Sequence, residues 1–81
     1  MRIVLDPGHG GHDTGAYDPI DPAQGDMLCT IEGEMAFDIA QRTERLLAAA
    51  GHDVYLTRRP TEFISLQTRC DIANKLKADI F

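Results

Sequence analysis

Apolar and polar residues alternate in blocks along the chain, and these blocks predict three strands separated by two helices. Arg2–Asp6 is an apolar, β-branched run that Pro7 and Gly8 end, which indicates a buried strand. A second run, Val54–Thr57, predicts another strand, and Ala78–Phe81 resembles the beginning of a third. Strands that alternate with helices favour a parallel sheet with right-handed crossovers, so the predicted fold class is an α/β layer fold.

Between the strands the apolar residues recur every three or four positions, which predicts two amphipathic helices. The first is expected to begin at Glu34 and to end before Gly51, with an apolar side formed by Ala36, Ile39, Ala40, Thr43, Leu46, Leu47 and Ala50. Ser65 is expected to cap the second helix. Its apolar side carries Leu66, Cys70, Ala73 and Leu76, together with Arg69, which would need a partner there.

The segment 17–31 shows neither the strand pattern nor the helical period of apolar residues. It contains two prolines, a glycine and three aspartates, so it is predicted to be a long surface loop. Three strands and two helices would leave a face or edge of a parallel sheet bare, because such sheets are normally covered on both faces. The chain, residues 1–81, is therefore expected to be an incomplete domain.

Composition narrows the class of protein. The chain has 81 residues, of which 43% are hydrophobic and 26% charged, as in one small soluble domain. A net charge of −5 without a lysine or arginine cluster argues against nucleic acid as a ligand. The apolar runs are too short for membrane insertion, and no secretory signal is visible at the N-terminus. Cys29 and Cys70 are expected to be free thiols, and the protein is expected to be a monomer.

The glycine-rich loop after the first strand is the first candidate for chemistry. It reads GHGGHDTGA from Gly8 to Ala16, and ligands of open α/β sheets bind at the carboxyl ends of strands. His9 could be a metal ligand on this loop, because imidazole is the commonest neutral ligand and glycines let the chain wrap tightly. A solvent-exposed histidine in a tight turn is equally compatible with these facts. The loop lacks the pattern of a phosphate-binding or dinucleotide-binding motif.

Glu34 is the second candidate, at the predicted start of the first helix. An acidic residue is favoured there by the helix dipole in any case. Glu32 is an equal rival on the residues alone, and spacing cannot pair either glutamate with His9.

Several motifs together resemble the N-acetylmuramoyl-L-alanine amidases of the Amidase_3 type. The opening run from Ile3 to Gly11, followed by Asp13, Gly15 and Ala16, is similar to the start of that family. The runs Leu56–Arg58, Leu66-x-x-Arg69, Ile72–Asn74 and Ala78–Phe81 match it in order and spacing. The resemblance covers the whole chain except for the segment from Tyr17 to Ile31. It implies that residues 1–81 are the N-terminal part of a single amidase catalytic domain.

The resemblance implies a zinc site and assigns roles to individual residues. It makes His9 the first zinc ligand and favours Glu34 over Glu32 as the second. The third ligand, a histidine, and the catalytic general-base glutamate are expected beyond Phe81, so residues 1–81 are expected to contain no catalytic residue and to be inactive alone. His12 is interpreted as a solvent-facing residue and the one candidate substrate contact. Structural roles are expected for three further residues. Asp13 is expected to shape the turn of the loop, and Arg58 and Arg69 are each expected to fix a helix end or to pair with a carboxylate.

The implied reaction is hydrolysis of the amide between N-acetylmuramic acid and the L-alanine of the stem peptide by a zinc-activated water. The implied partner is peptidoglycan, and the implied place of action is the cell wall, reached from the cytoplasm by lysis or export, as for an endolysin or autolysin. The alternative is a non-catalytic fragment of the same fold that associates with the cell wall or binds a partner.

Overall fold

The computed structural model describes residues 1–15, 17–19 and 29–81, with residues 17–19, 29 and 30 described by their backbone only. Its elements in chain order are β1 (Arg2–Leu5), β2 (Tyr17–Pro19), β3 (Cys29–Ile31), α1 (Glu32–Ala49), β4 (Asp53–Leu56) and α2 (Leu66–Lys75). The predicted alternation of strands and helices is therefore confirmed, and the protein has an α/β fold.

The parallel sheet places the candidate loop. Strand β1 pairs in parallel with β4, with Ile3 opposite Val54 and Leu5 opposite Leu56. On the other side of β1, Ile80 forms a parallel bridge with Ile3, and the Val4 amide donates to the Ile80 carbonyl at 2.9 Å. The predicted third strand is thus present as this single bridge. The carboxyl ends of β1 and β4 lie side by side, so the segments that follow them meet.

The predicted long loop is wrong at its two ends. Strands β2 and β3 pair antiparallel, with Tyr17 opposite Ile31 and Pro19 opposite Cys29. These strands are only three residues long, and β2 contains a proline, so neither shows the apolar alternation that identifies a strand in sequence. The prediction for residues 20–28 lies outside the described residues.

Helix α1 begins two residues earlier than predicted. Its N-cap is Ile31, whose side chain makes no capping hydrogen bond, so the usual sequence signal for a helix start is missing. The Gly33 amide in the first turn instead donates to the Thr14 carbonyl at 2.9 Å. The predicted helix end is confirmed, because Gly51 follows α1 with a φ of 94°. Ser65 caps α2 as predicted, accepting from the Thr68 amide.

Among the described residues the buried core is small and partly polar. Its apolar side chains include Ile3, Val4, Ala40 and Ala73, and Thr57, Arg58 and Arg69 are buried with them. The predicted apolar side of α2 is only partly buried: Ala73 is buried, whereas Leu66 is 82% exposed and Cys70 is also exposed. Cys70 is a free thiol; the Cys29 side chain lies outside the described residues. No helix in the described part of the chain is long and apolar enough to cross a membrane.

Candidate functional site

The loop after β1 folds into a tight turn that displays His9. The Gly10 amide donates to the Asp13 carbonyl, and the Asp13 amide donates back to the Gly10 carbonyl at 2.9 Å. His9 itself has a positive φ of 60°, which is uncommon for a residue other than glycine. Gly15 lies against the imidazole, because a Cβ added there would be 2.6 Å from His9 Cδ2. The ring is one-third exposed at the mouth of this turn.

Asp13 orients the imidazole of His9. Its Oδ2 is 3.1 Å from His9 Nδ1, and its Oδ1 accepts from the Gly15 amide at 3.1 Å. The hydrogen bond that His9 Nδ1 donates to Asp13 is the main reason that the pKa of His9 is raised, with Glu32 raising it further against partial desolvation. The same bond, together with the Gly15 amide, lowers the pKa of Asp13. A neutral His9 that donates from Nδ1 to Asp13 has its lone pair on Nε2, the usual arrangement behind a metal-binding imidazole.

Glu32, the first residue of α1, provides a second potential ligand atom. Its Oε1 lies 3.2 Å from His9 Nε2. Gly33 allows this approach, because the loop packs directly on it: a Cβ there would be 3.2 Å from His9 Cβ. The structure therefore brings together one imidazole nitrogen and one carboxylate oxygen on the open side of the loop.

Glu34 lies in a neighbouring groove. It is exposed and lines this groove with Gly10, Gly11 and Thr14. Residues two positions apart on a helix point in different directions, so Glu32 and Glu34 do not approach His9 from the same side. The role of Glu34 as a ligand remains a prediction that the structure leaves untested. The observed position of Glu32 favours Glu32, the alternative ligand that the residues alone left open.

The pair formed by His9 and Glu32 fits a zinc ion. Histidine nitrogen and carboxylate oxygen each bind zinc at about 2.1 Å, so two such ligands on a tetrahedral ion lie about 3.4 Å apart. The observed separation of 3.2 Å is close to this value. Asp13 behind Nδ1 gives the carboxylate–histidine arrangement that is usual behind metal-bound histidines. Within residues 1–15 and 31–81, no group of three or more His, Cys, Asp or Glu side chains is placed to hold a metal.

Arg69 holds the base of the loop. Its Nη1 donates to Asp6 Oδ1 at 2.8 Å and to the Pro7 carbonyl, and its Nη2 donates to the His9 carbonyl at 3.0 Å. The expected partner for a buried Arg69 is therefore confirmed as Asp6. Thr57, at the end of β4, donates to the same Asp6 oxygen at 2.7 Å.

Arg58 is equally buried, and its five described hydrogen bonds all go to backbone carbonyls. Burial is the main reason that the pKa of its guanidinium is lowered, and the nearby charge of Arg69 lowers it further. Arg58 thus has the structural role expected of it, and it fulfils this role through contacts with backbone carbonyls.

His12 lies at the rim of the loop. It is exposed, as predicted, and its ring contacts the Phe63 ring at a centroid distance of 4.4 Å. Phe63 lines a second groove, which also reaches His9, Asp13 and Leu66. A role for His12 in substrate binding remains a prediction.

Two features of the site are missing from the sequence-based assignment. Asp13 contacts the imidazole as well as its own turn, and its position four residues after His9 in a glycine-rich loop is the only sequence signal for this. The pairing of His9 with Glu32 has no local signal, because it depends on how α1 packs on the loop.

Comparison with known proteins identifies the family. The family model for N-acetylmuramoyl-L-alanine amidase, Amidase_3, matches residues 3–81. The chain is 40% identical over 80 residues to the amidase AmiC of Escherichia coli O6:H1, which covers 98% of this chain and 17% of that protein. It is also 40% identical over 79 residues to the amidase AmiA of Escherichia coli K12, across 98% of this chain and 25% of AmiA. The chain thus spans a quarter or less of these two relatives.

Solved structures share the fold. The amidase AmiC2 of Nostoc punctiforme superposes with a TM-score of 0.79 at 33% identity, over 96% of this chain and 39% of that one. Cwp6 from Clostridium difficile superposes with a TM-score of 0.83 at 29% identity, over 96% of this chain and 11% of Cwp6. The family match extends over nearly the whole chain, and the structural matches agree with it. The chain therefore belongs to the N-acetylmuramoyl-L-alanine amidase family, Amidase_3.

Proposed function

We propose that the chain is part of a zinc-dependent peptidoglycan amidase that cleaves the bond between N-acetylmuramic acid and the L-alanine of the stem peptide. The observation that carries this proposal is the family match over residues 3–81. The chemistry of the His9 loop supports it, because an imidazole and a carboxylate suit zinc. Residues 1–81 form part of one catalytic domain in this proposal, and the protein acts on the cell wall.

His9 Nε2 and Glu32 Oε1 are the proposed zinc ligands within this chain, with Glu34 as the alternative to Glu32. Their separation of 3.2 Å supports this choice. Asp13 keeps the proton on Nδ1, so that Nε2 remains free to bind the metal. When bound, zinc supplies a Lewis acid for the amide carbonyl and activates water at neutral pH. The third ligand, a histidine, and the general-base glutamate are expected outside residues 1–81.

The substrate is proposed to lie across the loop that carries His9. The grooves on its two sides are lined by Phe63 and Leu66 on one side and by Glu34 and Thr14 on the other. In this proposal a chain of sugar and peptide passes His9 along these two grooves. His12 stands at the rim beside Phe63 and is proposed to contact this substrate.

Digestion of purified peptidoglycan by the intact protein tests the reaction. Mass spectrometry is expected to find stem peptides with a free L-alanine amino group and glycan strands of unchanged length. A chelator and H9A are each expected to abolish release. H52A is the matched control, because His52 lies beyond the far end of α1. Shortened glycan strands, or no peptide release from a zinc-loaded protein, would overturn the proposal.

A further inference from the structure

Arg58 joins the two parts of the chain that carry the proposed ligands. Its Nε donates to the Pro7 carbonyl at 2.9 Å, and its Nη2 donates to the Gly8 carbonyl at 2.9 Å, immediately before His9. The same Nη2 donates to the Gly33 carbonyl at 2.8 Å, in the first turn of α1 and immediately after Glu32. One nitrogen thus bridges the loop and the helix.

Further contacts fix this guanidinium. Nη1 donates to the carbonyls of Arg59 and Pro60 at 3.0 and 3.2 Å, which anchors the side chain to its own segment. Phe37, one turn after Gly33 on α1, places its ring 5.5 Å from the guanidinium carbon. The loop also packs closely on this side chain, because a Cβ on Gly10 would lie 2.8 Å from Arg58 Nε.

From these contacts we infer that Arg58 is a positioning residue that sets the separation between His9 and Glu32. The inference rests on the proposed function, since it assigns Arg58 to the same metal site. The contacts of Arg69 differ in one respect: its described hydrogen bonds reach the loop, Asp6 and Ile64, but not α1. Arg58 therefore connects the loop to α1, whereas Arg69, by its described hydrogen bonds, contacts the loop but not α1.

Lysine cannot reproduce this coupling, although it keeps the charge. The guanidinium presents five donors in a planar fork, whereas an ammonium carries three donors on one atom. In R58K, the Gly33 carbonyl and the Pro7 and Gly8 carbonyls would compete for that one atom. The expected consequence is a loosened junction between the loop and α1 within a folded protein.

Cobalt binding and amide exchange of the intact protein test the inference. R58K is expected to bind Co²⁺ about tenfold more weakly or worse, with an altered visible spectrum, as for other residues that orient metal ligands. In the metal-free protein it is expected to accelerate hydrogen exchange of the Gly33 amide, which donates to Thr14. R59K, at the exposed neighbouring position, is the matched control and is expected to behave as wild type.

A folded R58K with wild-type cobalt spectrum, affinity and Gly33 exchange would overturn the inference. If R58K does not fold, F37L decides, because it removes the ring contact and retains an apolar side chain; unchanged Gly33 exchange in F37L would then count against the inference. If the wild-type protein binds no cobalt, the proposed metal site fails. The exchange measurement still shows whether Arg58 holds the loop to the helix.

Discussion

At the scale of single residues, the site depends on one imidazole held from two sides. Asp13 binds Nδ1 of His9 at 3.1 Å, and Glu32 lies 3.2 Å from Nε2. Both carboxylates raise the pKa of His9. In the metal-free protein the charged pair therefore stabilises the fold below the unfolded pKa of His9, and this contribution is lost as pH rises through the raised pKa. The ionised Asp13 stabilises the fold at pH values above its own unfolded pKa. This stabilisation is lost as pH falls through the lowered pKa of the folded protein.

Asp13 is expected to affect both the pKa of His9 and the affinity for zinc. D13N removes the largest cause of the raised pKa, so an NMR titration of metal-free protein should show a lower pKa for His9 than in wild type. Zinc affinity should fall about ten- to a hundredfold, because the imidazole loses its orienting carboxylate. D38N provides the control, since Asp38 pairs with Arg42 on the exposed surface of α1. Equal zinc affinity in D13N and wild type would show that the carboxylate does not orient His9.

Gly15 is expected to be required for the position of the ring. It has a φ of 69°, and its absent side chain leaves the space that the imidazole of His9 occupies. G15A should lower zinc affinity strongly and destabilise the protein by about 1–2 kcal/mol through backbone strain. G51A is the matched control, because Gly51 has a φ of 94° with no atom near an added Cβ. In urea unfolding both variants should lose stability, but only G15A should lose zinc affinity; similar zinc loss in both would refute the steric argument.

At the scale of elements, those with regular patterns were predictable and those made by packing were not. The apolar period of α1 and the Ser65 cap identified both helices. The start of α1 could not be located, because Ile31 carries no capping group and the Gly33 amide is satisfied by Thr14. That two-residue displacement also affects the site, since it makes Glu32 the first helical residue. The strands β2 and β3 lacked a pattern that could be recognised.

Helix α2 is expected to depend on its cap. Ser65 accepts from the Thr68 amide at 3.1 Å, and the helix presents Arg69 to the loop one turn later. S65A should lower the free energy of unfolding by about 1 kcal/mol, as measured in urea, because a first-turn amide loses its acceptor. S65D should retain most of the stability, since aspartate also caps well. A stability of S65A equal to that of wild type would show that water replaces the cap without cost.

At the scale of the whole molecule, the described part of the chain leaves much apolar surface exposed. Ile39, Leu46 and Leu66 are 61%, 73% and 82% exposed, although the first two belong to the predicted apolar side of α1. The periodicity predicted which residues share a face, but burial requires a partner surface that periodicity cannot reveal. The contacts that organise the site are also long-range, such as Arg58 to Gly33, so local patterns could not predict them.

Residues 1–81 studied in isolation are expected to bind zinc weakly and to release no stem peptide. The described residues contain no group of three metal ligands, and the general base is proposed to lie outside this segment. Zinc titration and peptidoglycan digestion with this segment check the expectation, with the intact protein as the control. Robust zinc-dependent amidase activity from the segment would contradict it.

His9 and Glu32 are proposed to form two sides of one zinc site. Zinc affinity of the intact protein, measured by competition with a chelator for wild type, E32Q and E34Q, tests this most directly. Each substitution removes a carboxylate and keeps the side chain's size, so the two variants control for one another. We expect a large loss of affinity in E32Q and affinity near wild type in E34Q. Loss in E34Q with retention in E32Q would contradict the proposal and assign the ligand to Glu34.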